Sequence, residues 1–421
     1  MADTLNPLLR RDIDFIPVTG EDGVPVVVAR DPLELFDGGS VALQRDALPI
    51  LALMDGSRSA EEIRLELEAR SASAGQVTVI PKELIDSFLE QLDRAYLLDS
   101  PRFRQAHRGM VDKFLALTDR PPALGGRAYP DSKTELISFL DDILSEKTDG
   151  KKKAELEDKE IISIVAPHIE ITQGKKLFAA SYNALRGASY DRVVVLGVGH
   201  SLETGLFSLT MKNHITPLGT VQTDRQAVEA LRQATGFLAA PDDFCHRREH
   251  SIEFQVIFLQ HVLEGPFTLV PILCGSLHEH LIAGGKARPR EIDNFPPVLD
   301  CLAGLLADPN QKTLVVAGVD FSHVGNKFGD KLPAASITSD STAHDMALLA
   351  ALEKLDVEAF CTESRRAGDR YHVCGFSALS ILLEILPEGA RGIQLGHEVW
   401  NEAPTRSAVS YAAAAFFSAG K

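Results

Sequence analysis

Residues 192–200 read RVVVLGVGH, a β-branched run closed by Gly199 and His200. Three more runs share this character: IISIVAPH at 161–168, FTLVPILCG at 267–275 and TLVVAGVDFSH at 313–323. None shows the apolar-polar alternation of a strand with one wet face. Each is separated from the next by a longer stretch with helical spacing. Strands buried on both faces and joined by helices predict an α/β domain with a central parallel or mixed sheet.

The chain has 421 residues, which makes two domains the expectation. A formal charge of -16 argues against a nucleic-acid footprint, which needs a clustered basic face. Lys151 to Lys153 form a basic run, but Glu155, Glu157, Asp158 and Glu160 follow it at once. The start, MADTLNPLLRRD, lacks a secretory apolar stretch, and no later run is long enough to span a bilayer, so no membrane partner and a cytoplasmic location are expected. The five cysteines are scattered, without C-x-x-C spacing, so neither a disulfide framework nor a zinc ribbon is indicated.

Residues 1–115 read as a separate small unit. Val24 to Val28 is a short β-run, Leu43 to Leu53 a helical stretch interrupted by Pro49, and Ser71 to Gly75 a loop. Ser59 and Glu62 form a capping box that predicts a helix start. Leu84, Ile85, Phe88, Leu89 and Leu92 predict another helix, and Tyr96 to Leu98 looks extended. Helices closing on a short β-wing suggest a winged-helix-like domain. With LMDGSRSAEEI followed by FLEQLDRAYLLD, the segment resembles PqqD-like domains, a resemblance that implies binding of a peptide or partner protein. A small helical packing domain is the alternative. Residues 116–159 are expected to be a linker, because Ser145 to Glu160 has no apolar periodicity and reads as linker or solvated helix. The α/β domain then spans 160–421.

Three of the strand runs end in polar residues: His168, His200, and Asp320 with His323. In open α/β sheets ligands bind beyond the carboxyl ends of the strands, so these residues point to one site. Neutral imidazole is a versatile metal ligand, and a carboxylate binds an ion or orients a ligand. The segment EHSIEFQVIFLQHVL, 249–263, reads as an amphipathic helix whose start lends His250 and Glu253 to the site, with Ser251 as a candidate cap. Cys374 stands just ahead of the apolar run from Phe376, where peptide dipoles lower a thiol's pKa. A buried, inert cysteine is the alternative at that position.

In order, APH at 166–168, GH at 199–200, TPLG at 216–219, EHSIE at 249–253, DFSH at 320–323, CG at 374–375 and SAVSYAAAA at 407–415 resemble the MEMO family. Its bacterial and archaeal members are called AmmeMemoRadiSam system protein B. The resemblance implies a fold like that of LigB-type extradiol dioxygenases and a metal trio of His168, His200 and Cys374. It also places Asp320 and His323 in the cleft, Asp320 orienting a ligand imidazole and His323 relaying protons. His250 and Glu253 are further cleft candidates. Many members continue A-P-H with A-G-Y and a later S-G; this chain has Ile169 to Gly174 instead, with Glu170 as an additional carboxylate or a solvent-facing loop residue.

Two imidazoles and a thiolate leave coordination positions open and suit iron or copper without excluding zinc. The leading expectation is a metal-dependent redox protein, a dioxygenase-like oxidoreductase. The alternatives are a metal-binding scaffold or ion chaperone, with a radical SAM enzyme and an AMMECR-type protein as the partners the resemblance implies, or zinc-assisted hydrolysis.

Overall fold

The computed structural model describes residues 6–19, 25–36, 39–73, 75 and 79–418; Val24 of the expected β-run and Ala74 of the expected loop lie outside them. The chain divides into two compact units, 1–116 and 117–421.

In the first unit a three-stranded antiparallel sheet, Asp14–Thr19, Pro25–Arg30 and Ser40–Gln44, precedes the helices Ala60–Ser73, Lys82–Arg94 and Pro101–Leu115. Ile13, Phe36, Met54, Ile63, Leu92 and Leu97 form its core. The capping box is present: the Ser59 amide donates to Glu62 at 2.7 Å and the Glu62 amide to Ser59 Oγ at 3.3 Å. Two expectations fail. Leu43 belongs to a strand, and only Leu48–Leu51 forms an α-turn. Tyr96 is left-handed, with φ 58, and Leu98 makes an isolated bridge to Leu9, so Tyr96 to Leu98 is not a continuous strand; the unit's described sheet lies ahead of its helices.

Residues 116–159, expected to be a linker, carry structure of their own. Asp119–Arg120 pairs in parallel with Asn213–His214, and the helix Lys133–Leu144 buries Leu136, Leu140, Ile143 and Leu144 in the second unit's core. Helix Gly150–Leu156 matches the solvated helix, with Leu156 buried. Absence of periodicity over 145–160 was a local signal, and it said nothing about the segment ahead of it.

The second unit is built on an eight-stranded mixed sheet. Its four parallel strands, Ile161–Ala166, Thr313–Gly318, Arg192–Val198 and Thr268–Cys274 in that spatial order, are the four runs read from the sequence. Strand Ser407–Phe417 adds antiparallel to Ile161–Ala166, and Arg391–Glu402 pairs with it in turn. Alternate side chains face opposite helical layers. Val193 and Val195 meet the layer holding Lys175–Asn183 and His250–Val262, while Val194 and Leu196 meet Arg225–Thr235, Pro296–Leu306 and Phe376–Ile385. Each such valine or leucine removed from water contributes about 1.5–3 kcal/mol, which explains why both faces are mainly apolar, with Ser163 a buried exception.

Helix His250–Val262 lies close against the strand ends. A Cβ at Gly197 would meet Ser251 Oγ at 2.6 Å, and one at Gly318 would strike the Ser251 carbonyl oxygen. Ser251 Oγ accepts from the Val198 amide at 3.1 Å and donates to the Val198 carbonyl at 3.1 Å. The glycines let the helix start reach the ends of the parallel strands, which is where the site lies.

Candidate metal centre

His168, His200 and His250 come together at that edge. Their ring centroids are 5.0, 4.9 and 4.9 Å apart; His200 and His250 are stacked at 17°, and His168 stands edge-on to both. One ligand atom from each lies within 4.8 Å of the others, and this is the group of metal-capable side chains found among the described residues.

Each ring has its Nδ1 occupied by a protein acceptor. His168 Nδ1 sits 2.9 Å from the Gly318 carbonyl, so it carries the proton and leaves Nε2 as the open nitrogen. Glu249 serves the other two, with Oε1 3.0 Å from His200 Nδ1 and 3.2 Å from His250 Nδ1. The same carboxylate accepts from the His200 amide at 3.1 Å and the Ser251 amide at 2.9 Å. Glu249, rather than Ser251, is therefore the side chain that caps the helix. Burial pushes Glu249 up, but His200 and His250 outweigh it and hold it well below the usual carboxylate range. Imidazoles oriented by an acceptor behind them are the usual arrangement of metal ligands. Burial, with His250 and His200 beside it, holds His168 well below the ordinary histidine range, in the neutral form a metal requires.

Cys374 Sγ lies 3.5 Å from His168 Nε2 and 3.4 Å from the Asp320 carbonyl oxygen. Its thiol is raised well above its ordinary value by burial and by Asp320, which corrects the expectation of a dipole-lowered pKa. Helix Phe376–Ile385 starts only after Gly375, and loss of water outweighs the peptide dipoles.

Asp320 is buried; one oxygen accepts from the His168 amide at 3.0 Å and the other lies 3.7 Å from His168 Nε2. It fixes the backbone of His168 and does not orient the ring from behind, since the Gly318 carbonyl does that. Burial raises it to about 7 against the opposing amides of His168 and Ile169. His323 Nδ1 donates to the Phe321 carbonyl at 2.9 Å, and burial lowers its pKa to about 4, so it is neutral near pH 7.

Glu253 is not a cleft residue. It is buried, bonds Arg120 at 2.5 Å and Tyr129 Oη at 2.5 Å, and accepts from the Ala123 and Leu124 amides at 3.0 and 2.9 Å. Arg120 also donates to the carbonyls of His246 and Glu249 at 2.6 and 2.9 Å. His250 and Glu253 lie on one helix face, but Glu253 sits a turn further from the strand ends, where Arg120, Tyr129 and the 123–124 amides are its neighbours. Glu170 is exposed, with its carboxylate taken by Thr172 at 2.5 Å. The sequence reading missed Glu249 and Arg120. An acid in the capping position just ahead of a histidine was the available signal for the first; for Arg120, 129 residues before Glu249, no local signal exists.

A family model described as Memo-like protein matches residues 120–415, which takes in all seven motifs and the whole imidazole cluster. The chain belongs to the MEMO family. A MEMO1 family protein of Aquifex aeolicus is 30% identical over 392 residues, covering 93% of this chain and 96% of its own length. One from Thermus thermophilus is 26% identical over 361 residues, 85% of this chain and 98% of its own, and one from Thermoplasma volcanium is 26% identical over 281 residues, 66% and 90%. The MEMO match begins at Arg120, the residue that clasps Glu253, so the family's domain includes the segment read from sequence as a linker.

Proposed function

We propose that this protein is a metal-dependent redox protein that holds iron or copper at His168 and His200, with His250 and Cys374 as further donors, and oxidises a substrate with dioxygen. The observation that carries this reading is the cluster of three imidazoles whose Nδ1 atoms are all tied to protein acceptors. That donor chemistry fits a transition ion, since imidazole suits iron, copper, nickel and zinc, and thiolate suits copper(I), iron and zinc.

When bound, the ion would supply a Lewis-acidic, electron-transferring centre with positions left open for small ligands. The protein's own residues then set the environment. Glu249 holds two rings in place. Asp320, raised to about 7, can carry or release a proton 3.7 Å from His168 Nε2 at physiological pH. Neutral His323 is a proton acceptor at Nε2, because its Nδ1 is committed to the Phe321 carbonyl.

The test is elemental analysis of anaerobically purified protein together with oxygen-electrode assays. Stoichiometric iron or copper, lost in His168→Ala, with metal-dependent oxygen uptake is expected. A protein that stays metal-free after incubation with either ion would end this reading. A scaffold role beside a radical SAM enzyme and an AMMECR-type protein is the second reading. It is favoured by the first unit, which has its own core and a cavity of about 760 Å³ bordered by Leu8, Ser59, Leu89 and Leu98. Co-purification of those partners through residues 1–116, without oxygen uptake, is its expected signature.

A further inference from the structure

Apart from the imidazole cluster, the loop that follows strand Thr268–Cys274 lines up a serine, a histidine and an acid. Ser276 Oγ lies 2.8 Å from His278 Nδ1, and His278 Nε2 lies 3.0 Å from Asp369 Oδ1. A carboxylate only accepts, so in the neutral ring Nε2 carries the proton and Nδ1 turns its lone pair to the Ser276 hydroxyl. The His278 amide donates to Ser276 Oγ at 3.3 Å, which fixes the oxygen and leaves its proton directed at Nδ1. Ser276 is exposed, and His278 and Asp369 are half-buried. The tripeptide Ser276 to His278 is also anchored at the start of helix Phe376–Ile385. The Leu277 amide donates to Ser377 Oγ at 2.9 Å, and the Phe376 and His278 rings have centroids 4.9 Å apart. That end of the helix carries the positive pole of its aligned peptides.

We propose that Ser276, His278 and Asp369 form a nucleophilic triad that hydrolyses small acyl esters, an activity separate from the imidazole cluster. Triads are defined by geometry and role. Here the two ring nitrogens exchange their commonest places, but one still takes the serine proton and the other is still held by the acid. Ser276 Oγ bonds to the ester carbonyl carbon as its proton passes to His278 Nδ1, and the carbon–oxygen bond to the leaving group breaks as that group takes the proton and departs as an alcohol. Water then attacks the acyl-serine, giving its proton to Nδ1; the carboxylic acid leaves and the proton returns to Ser276 Oγ. Asp369 is a positioning residue that holds Nε2–H and favours the imidazolium formed in each step. The positive helix end beside the loop favours the oxyanion. Because Ser276 lies at the surface, short acyl chains suit it best.

The probes are p-nitrophenyl acetate and a fluorophosphonate, applied to the full chain with EDTA present throughout so that no ion contributes. The wild-type chain should release p-nitrophenol in a burst of about one equivalent before slower turnover. The fluorophosphonate should add to the peptide holding Ser276, as mass spectrometry reads directly. Ser276→Ala should lose both the burst and the label and lower kcat/KM about a hundredfold. Asp369→Asn should lower kcat about tenfold or more with KM unchanged, and His278→Gln should in addition remove the rise of kcat with pH that imidazole deprotonation produces. A merely structural role for either residue would leave the ratio of kcat to KM and the pH profile as they are. All three substitutions fall at exposed or half-buried positions, so the fold is kept, and urea midpoints check it. Wild-type rates in Ser276→Ala, label on any other residue, or a wild-type chain with neither burst nor label would overturn the proposal.

Discussion

Replacing Arg120 with alanine should destabilise the second unit by about 4 kcal/mol. Arg120 and Glu253 are paired at 2.5 Å with side chains 2% and 1% exposed, and removing one partner of a buried pair costs about 3–5 kcal/mol because the other charge is left without water or counterion. Three donors remain on Glu253, from Ala123, Leu124 and Tyr129, which moves the cost toward the lower end. Against that, the carbonyls of His246 and Glu249 lose their partner at about 1 kcal/mol each. Trp400, the chain's one tryptophan, packs against the same core, so urea unfolding followed by its fluorescence reports this unit. The pH dependence gives a second handle. Burial pushes Glu253 up, but Arg120, Tyr129 and the Ala123 amide hold it below its ordinary value of 4.5. Its contribution is complete above that value and disappears as pH falls through the lower folded pKa, so Arg120→Ala should unfold at a higher pH in acid titration. In a double-mutant cycle, Arg120→Met with Glu253→Gln should recover more than half of the loss. A single-variant cost under about 1 kcal/mol, or a double variant no more stable than Arg120→Ala, would refute the clasp.

Glu249→Ala should lower affinity for any bound ion about ten- to a hundredfold, because His200 and His250 lose their common acceptor; calorimetric titration with nickel(II) measures it. In metal-free protein, Asp320 binds its proton up to about pH 7 when folded but only to about 3.8 otherwise, so its contribution to stability falls as pH rises across that interval. Urea midpoints of Asp320→Asn should lack that decline, and parallel curves for both proteins would count against it. Asp345 is buried and accepts from Ser322 Oγ at 2.6 Å, Ser410 Oγ at 2.5 Å and His397 Nε2 at 3.0 Å, while the Ser322 amide donates to Ser410 Oγ at 2.8 Å. Asp345→Ala should therefore loosen the Asp320–His323 loop and lower the urea midpoint followed by Trp400 fluorescence, because two buried hydroxyls and the His397 ring lose their acceptor; an unchanged midpoint would count against that role.

The parallel sheet was legible because its strands are short, β-branched and buried on both faces, a pattern few other structures share. Its ends gave His168 and His200 directly. His250 and Glu253 were read together, and only the first reaches the cluster, since Ser251 to Leu259 are all buried and the helix has no wet face from which to infer direction. The same sandwiching defeated the amphipathic reading. The antiparallel strand Ser407–Phe417 was visible only as a motif, because Ala412 to Ala415 have weak strand preference and are held there by neighbours on both sides. Cys374 was correctly placed near His168, yet the acidity of its thiol follows from burial that no local sequence reveals.

The Arg120 contacts also govern where the chain can be divided. A fragment beginning at Glu160 would retain all four parallel strands, the three imidazoles and the thiol, and would look complete by inspection of its motifs. It would lack Arg120, Tyr129 and the helix whose Leu136 and Leu140 cover the sheet's helical layer, leaving a bare carboxylate and an uncovered apolar face. Such a fragment would aggregate. A cut at Ala116 and Leu117 spares these groups, so an autonomous version of the imidazole-bearing unit must start upstream of Asp119.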